Sequence, residues 1–167
     1  MKKYLAVLFI IFFMANAMAG DIRYGYNAKG EYVPMQIDGQ KVTYGYNSKG
    51  EYVPTAIGNE EIRYGYNSKG EYVPTSIGNQ NIKYGYNSKG EFAPTSVGDQ
   101  KVDYGYNSNG NYVVQSVGNN RINYGYNSKG EYVPTGVNNN SGFNNNWAKP
   151  FVVPQRNLGY GNKRFGF

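Results

Sequence analysis

A 20-residue unit recurs six times in register between Ile22 and Ser141 and covers 120 of the 167 residues. Its second copy reads Val42-Thr43-Tyr44-Gly45-Tyr46-Asn47-Ser48-Lys49-Gly50-Glu51-Tyr52-Val53-Pro54-Thr55-Ala56-Ile57-Gly58-Asn59-Glu60-Glu61. A strict period of this size marks an architecture in which each copy is one supersecondary unit stacked on its neighbours. The unit is too short to enclose a core, and a lone two-stranded hairpin is marginal in water. Stability must come from contacts between copies.

Within the unit, two apolar runs flank Asn47-Ser48-Lys49-Gly50. Asn opens a turn through its side chain, and Gly supplies the positive φ that a type I turn with a G1 bulge needs at its end. A hairpin about this turn sets Tyr46 opposite Tyr52, Gly45 opposite Val53 and Tyr44 opposite Pro54. Simple alternation then places Val42, Tyr44, Tyr46 and Tyr52 on one face, with Val53 and Ile57 on the other. Pro54 has no N–H to give a ladder, so its strand is expected to end there or lie at an edge. The unit reads as strand 42–47, turn, strand 51–54, then an extended connector to a second turn at Gly58-Asn59.

The six copies, 22–41, 42–61, 62–81, 82–101, 102–121 and 122–141, separate fixed positions from free ones. Tyr-Gly-Tyr-Asn stands in all six, and a third aromatic follows at Tyr32, Tyr52, Tyr72, Phe92, Tyr112 and Tyr132. A β-branched apolar residue opens every copy and another stands at 37, 57, 77, 97, 117 and 137. These fixed apolar positions read as core. The runs 38–41, 58–61, 78–81, 98–101 and 118–121 vary among polar residues and read as a solvated outer turn. The fifth copy loses its turn Lys, its Glu and its Pro together, to Asn109, Asn111 and Val114. The joint loss suggests that Lys and Glu partner each other.

The flanks differ in kind. Lys2 and Lys3 precede an apolar run from Tyr4 to Met14, and Ala17-Met18-Ala19 is a small-residue cleavage site, so 1–19 is read as a secretory signal peptide. The mature chain is then expected in the secreted, periplasmic or cell-surface space, with no transmembrane segment. It carries no cysteine, so disulfides do not staple it, and no histidine, the commonest general base and metal ligand. After Ser141 the period stops. Residues 142–167 read as an Asn-rich linker and a basic aromatic tail, either a cap on the last repeat or a free segment.

From Asp21 to Ser141 the array holds 11 basic and 11 acidic side chains, so it is neutral. The tail holds Lys149, Arg156, Lys163 and Arg164 with no acid, and these four are the candidate tether to an anionic surface. A neutral array is a poor phosphate binder, so nucleic acid is not an expected partner. A membrane barrel is also disfavoured, because spanning strands need about 9–11 residues and these are shorter and interrupted by Pro.

Catalysis finds no footing. The recurring carboxylate, Glu31, Glu51, Glu71, Glu91 and Glu131, sits two residues from Lys on an exposed turn in each copy that has it, whereas acid–base work needs a carboxyl with a shifted pKa. Gly45-x4-Gly50 lacks the Lys of a phosphate loop, and the turn lacks the acids of a calcium loop. No cofactor is expected. The tyrosines are the candidate site: Tyr24, Tyr44, Tyr64, Tyr84, Tyr104 and Tyr124, farther from the turn than their neighbours, are placed to stack a ligand between adjacent hairpins.

The run from Tyr44 to Pro54 resembles the WG-type repeat of bacterial proteins, whose core is Trp-Gly-Tyr-Ile-Asp-x-x-Gly-x-x-Val-Ile-Pro. Tyr44 stands in place of the Trp, each arm is one residue shorter, and the period is shorter. A 20-residue period with paired aromatics and a turn Gly is also similar to the aromatic cell-wall-binding repeats that hold choline or glucan between stacked hairpins. Those carry Trp, which the array lacks. The resemblance covers 22–137, implies an aromatic hairpin stack of surface or binding type, and assigns no ligand residues. Curli-like amyloid repeats are similar in length, but Pro in five of the six copies works against a stacked cross-β core.

The sequence therefore predicts an all-β stack or solenoid of six 20-residue β-hairpins with an irregular C-terminal tail. The expected function is non-enzymatic: an exported structural or adhesive surface protein, with self-association as one way of acting by number. The alternative is a polysaccharide- or peptidoglycan-binding module. The exported form should begin at Gly20, because Ala17 and Ala19 are the small residues a signal peptidase reads. Intact-mass spectrometry of the secreted species checks this, and a species that retains 1–19 contradicts it.

Overall fold

The structure, a computed structural model, describes residues 20–139; the expected leader at 1–19 and the tail at 142–167 lie outside the described residues. Each copy contributes two strands. In chain order they are β1 Gly20–Tyr26, β2 Tyr32–Ile37, β3 Gln40–Tyr46, β4 Tyr52–Ile57, β5 Glu60–Tyr66, β6 Tyr72–Ile77, β7 Gln80–Tyr86, β8 Phe92–Val97, β9 Gln100–Tyr106, β10 Tyr112–Val117, β11 Asn120–Tyr126 and β12 Tyr132–Asn139.

The expected hairpin register is present. Tyr46 pairs with Tyr52, Gly45 with Val53 and Tyr44 with Pro54, and the equivalent positions pair in the other five copies. Beyond Pro54 the structure departs from simple alternation. Thr43 pairs with Ala56, so Thr55 is an extra residue, a β-bulge. Bulges are one of the few places where a strand tolerates Pro. The ladder therefore passes Pro54 and runs on to Ile57 instead of stopping. The extra residue also shifts the side-chain alternation by one, so Ile57 faces Val42 and not the opposite side.

Two fixed glycines serve this geometry. Gly50 closes the tight turn at φ 74°, a conformation that side chains with a Cβ resist. Gly45 has no such φ; its constraint is space. A Cβ there would lie 3.2 Å from Thr55 Cγ2, and Thr55 Oγ1 donates to the Thr43 carbonyl at 3.3 Å across the same spot. The bulged Thr lies on the glycine, and the pairing recurs at Gly65 with Thr75, Gly85 with Thr95 and Gly125 with Thr135.

Successive hairpins are joined by two-residue turns and pair through a short ladder. Between the first two copies it consists of Gln36–Lys41 and Ile37–Gln40. The last strand then returns to the first: β1 pairs with β12 through Gly20–Val137 and Asp21–Gly136, and the twelve antiparallel strands close into a barrel. This corrects the expected open stack or solenoid. Each hairpin meets the next through equivalent contacts and so turns by a similar step, and six such steps complete a circle. Closure also removes the two free strand edges that an open stack would leave unpaired.

The core lies inside this ring. Ile22–Ile37, Val42–Ile57, Ile62–Ile77, Ile82–Val97, Val102–Val117 and Ile122–Val137 are cross-strand partners. They join one hydrophobic cluster, against which Tyr24, Tyr44, Tyr64, Tyr84, Tyr104 and Tyr124 pack. The outward positions Arg23, Thr43, Arg63 and Lys83 are exposed and polar. The strands are six to eight residues long, shorter than the about 9–11 residues of a typical spanning strand. Among the described residues no helix is long and apolar enough to cross a membrane.

The polar runs expected as a solvated outer turn are only partly so. Asn59 and Asn79 are exposed, but Gln40, Glu60, Gln80 and Gln100 lie over the turn glycines Gly58, Gly78, Gly98 and Gly118, and Asn120 is buried at 2% exposure. A closed ring also has a different stability law from an open array. Removing residues 62–81 leaves five steps that do not close the circle. This variant should lose the single cooperative unfolding transition of the full chain, as followed by near-ultraviolet circular dichroism in urea. A five-copy chain that unfolds cooperatively with stability reduced only in proportion, as in an open array, contradicts closure.

Candidate functional site

The barrel has two unlike ends. At one, the short ladders between copies and the two-residue turns form a polar end. At the other lie the six Asn-x-x-Gly turns and the aromatic residues beside them. Each of these turns is built by its Asn. Asn47 Oδ1 accepts from the backbone N–H of Lys49 and of Glu51, both at 3.0 Å, and its Nδ2 donates to Glu51 Oε2 at 2.9 Å. The backbone closes with Gly50 N–H to Asn47 carbonyl at 2.9 Å. An Asp at this position would keep the acceptor, lose the donor and set two carboxylates face to face.

Behind the turn the three aromatics of a copy pack as a set. Tyr44 stacks on Tyr52 with ring centroids 6.1 Å apart and planes at 24°, and Tyr46 meets Tyr52 edge-on at 5.2 Å and 63°. Each such pair contributes about 0.5–1.5 kcal/mol beyond its buried area. Links to the neighbouring copy then come from side chains. Tyr44 OH donates to the Pro34 carbonyl at 2.8 Å, and the equivalent bond recurs from Tyr64, Tyr84, Tyr104 and Tyr124. Tyr24 OH donates to the Pro134 carbonyl at 2.9 Å, which closes the ring. The hydroxyls of Ser48 and Tyr72 share a hydrogen bond, as do those of Ser88 and Tyr112.

The turn lysines complete the pattern in a way the sequence did not suggest. Lys29 Nζ lies 4.8 Å from the Tyr46 ring centroid and 5.2 Å from that of Tyr52, both in the next copy. Lys49, Lys69, Lys89 and Lys129 repeat the contact, Lys129 over Tyr26 and Tyr32 of the first copy. The turn Glu accepts a hydrogen bond from the turn Asn of its own copy. A hydrogen bond with Tyr66 helps hold the Lys49 ammonium above its ordinary pKa.

The six tyrosines expected to stack a ligand, Tyr24, Tyr44, Tyr64, Tyr84, Tyr104 and Tyr124, are half-buried, with rings on the core and hydroxyls bonded to the preceding copy. The rings that face solvent are their neighbours Tyr26, Tyr46, Tyr66, Tyr86, Tyr106 and Tyr126, at 61% to 67% exposure. They form a circle at the aromatic end, which sequence reasoning assigned to packing alone. Their position one residue from the hairpin tip was the available signal, since little of the chain remains there to cover them. Lys149, Arg156, Lys163 and Arg164, the candidate tether, lie outside the described residues. Among the described residues no group of three or more His, Cys, Asp or Glu gathers as a metal-binding set.

No protein-family model matches the chain, and no curated protein or solved structure is significantly similar to it.

Burial pushes the phenols of Tyr24, Tyr44, Tyr84, Tyr104 and Tyr124 above their ordinary pKa of 10.0, with neighbouring tyrosines and carboxylates adding to the effect. The folded state then holds these protons more tightly than the unfolded chain does. Their contribution to stability is complete below pH 10 and is lost as the pH rises beyond it. Urea unfolding at a series of alkaline pH values should show this decline. Tyr44→Phe should cost about 0.5–1.5 kcal/mol at neutral pH by removing one hydrogen bond, and should make the alkaline decline shallower. An unchanged alkaline slope in the Phe variant contradicts the assignment.

Proposed function

We propose that this chain is an exported, non-enzymatic adhesive protein that binds a glycan polymer of the cell envelope through the circle of exposed tyrosines. The observation that carries the reading is a contrast between exposed positions. The exposed residues 23, 43, 63 and 83 are Arg, Thr, Arg and Lys, as expected where only solubility matters. Residues 26, 46, 66, 86, 106 and 126 are equally open to water yet are Tyr in every copy. A phenol pairs an apolar face with a polar tip, which suits a sugar ring and its hydroxyls. One exposed ring binds weakly; six on a rigid ring engage a repeating polymer together, and avidity multiplies the effect.

The test is retention on insoluble polysaccharides, with peptidoglycan, chitin and cellulose as the probes. The triple change Tyr46→Ser, Tyr66→Ser, Tyr86→Ser should reduce retention at least tenfold on the polymer that the native chain binds, as bound fractions measured by depletion. It should move the urea midpoint less than Tyr44→Ser, Tyr64→Ser, Tyr84→Ser does, because the latter set removes rings packed on the core. Full retention by the folded rim variant, or no retention of the native chain on any of the three polymers, contradicts the proposal.

A further inference from the structure

Five of the six sectors between copies at the aromatic end are filled by the chain's own ammonium groups. Lys129, Lys29, Lys49, Lys69 and Lys89 each lie over the aromatic pair of the following copy, with Nζ between 4.5 and 5.2 Å from the ring centroids. The sixth sector, in front of Tyr126 and Tyr132, has Asn109 where the others have Lys. Its Nδ2 donates to the Tyr126 hydroxyl at 3.4 Å and brings no charge over the ring faces.

The receiving half of the contact is nevertheless intact. Tyr126 and Tyr132 hold the edge-on arrangement of the other copies, at 5.1 Å and 67°. Ser108 keeps its hydrogen bond to the Tyr132 hydroxyl at 2.5 Å. Tyr126 is the most exposed of the six rim tyrosines, at 67%. The neighbouring Asn111 also replaces Glu, so the sector is as neutral as the others while lacking its internal cation. An aromatic pair shaped to receive an ammonium, and left without one, is a site for a cation supplied from outside, since the ring quadrupole attracts a charge set over its face.

We infer that the sector formed by Asn109, Tyr126 and Tyr132 binds an external organic ammonium group, carried by an unacetylated amino sugar of the polymer. The ammonium takes the place that Nζ takes in the other five sectors, and the Asn109 amide is within reach of the sugar hydroxyls. This rests on the glycan reading for the sugar and on the lysine pattern for the charge. A single exposed contact of this kind is weak. The sector therefore selects among residues of a polymer held by the whole rim rather than capturing free sugar tightly.

The experiment follows the ring-proton resonances of Tyr126 and Tyr132 in the full chain during titration with glucosamine, N-acetylglucosamine and n-butylammonium. Glucosamine and n-butylammonium should shift both rings, with smaller shifts at Tyr46 and Tyr52, where Lys29 already occupies the site. N-acetylglucosamine, which is neutral, should shift them several-fold less. Asn109→Lys restores the residue of the other copies, so it should leave the fold intact and reduce the glucosamine shifts several-fold. Tyr126→Ser provides a second variant that removes the ring without adding charge, and should reduce the Tyr132 shift. Unchanged shifts in Asn109→Lys, equal shifts at the lysine-filled sectors, or no shift with either cation would overturn the inference. Equal shifts with N-acetylglucosamine would overturn it while leaving the glycan reading standing. Shifts with both cations but no retention on any polysaccharide would reject the glycan reading and keep the ammonium site.

Discussion

One hydrogen bond per copy, from the first tyrosine hydroxyl to the backbone carbonyl of the preceding copy, is the contact on which the ring depends. The backbone ladder between copies is only two residue pairs long and lies at the polar end. Beyond it, hairpins are joined by side chains, and Tyr44 OH to the Pro34 carbonyl is a half-buried member of that set, whereas the serine–tyrosine bonds are exposed. The acceptor is main chain, which explains how the fifth copy can carry Val114 in place of Pro and still receive the Tyr124 hydroxyl at 2.7 Å. What this position needs is a carbonyl in the right place; Pro is incidental to the bond.

The division between the two ends follows from this. At the polar end the main chain provides the link, so side chains there are free to differ, and Gln40, Glu60, Gln80, Gln100 and Asn120 all occupy one structural position. At the aromatic end the link is a set of side chains in fixed mutual geometry, so Tyr, Ser, Lys and Asn recur there with few exceptions. The exceptions are informative because each alters a single contact. Phe92 has no hydroxyl to meet Ser68, and Ala28 has none to meet Tyr52, yet both copies keep their stacked and edge-on rings. The ring contacts are therefore the shared element, with the serine bond an addition to them. A construction this redundant tolerates one missing lysine at Asn109 without loss of shape.

Exposed tyrosine is also the feature on which the proposed glycan binding rests. A core of Ile and Val pairs supports the ring from inside, so the outermost tyrosines are held by neighbours without being covered by them. Rigid, half-held aromatic faces lose little conformational freedom when a ligand settles on them, which favours affinity per contact. The turn lysines and glutamates balance each other in charge, five of each, so the circle carries no net charge from them.

Much of the architecture was legible in the residues themselves. The period, the Asn-x-x-Gly turn, the pairing of Tyr46 with Tyr52, and the core character of positions 22, 42, 62 and of 37, 57, 77 follow from short-range rules that act within 20 residues, but that Val42 and Ile57 share a face does not. The bulge at Thr55 was less visible, because Pro54 signals both an interrupted ladder and a bulge, and only the paired backbone decides which. Closure was not legible at all. A repeat reports what it presents to its neighbour, but whether six such contacts make a line or a circle depends on a rotation per step that no single residue encodes. That rotation brings Gly20 to Val137 and Lys129 to Tyr26. It also decides which tyrosines face the core and which face water: inside a closed ring Tyr44 packs on the core cluster and bonds the Pro34 carbonyl, while at the hairpin tip Tyr46 is left 63% exposed with the Lys29 ammonium over its ring.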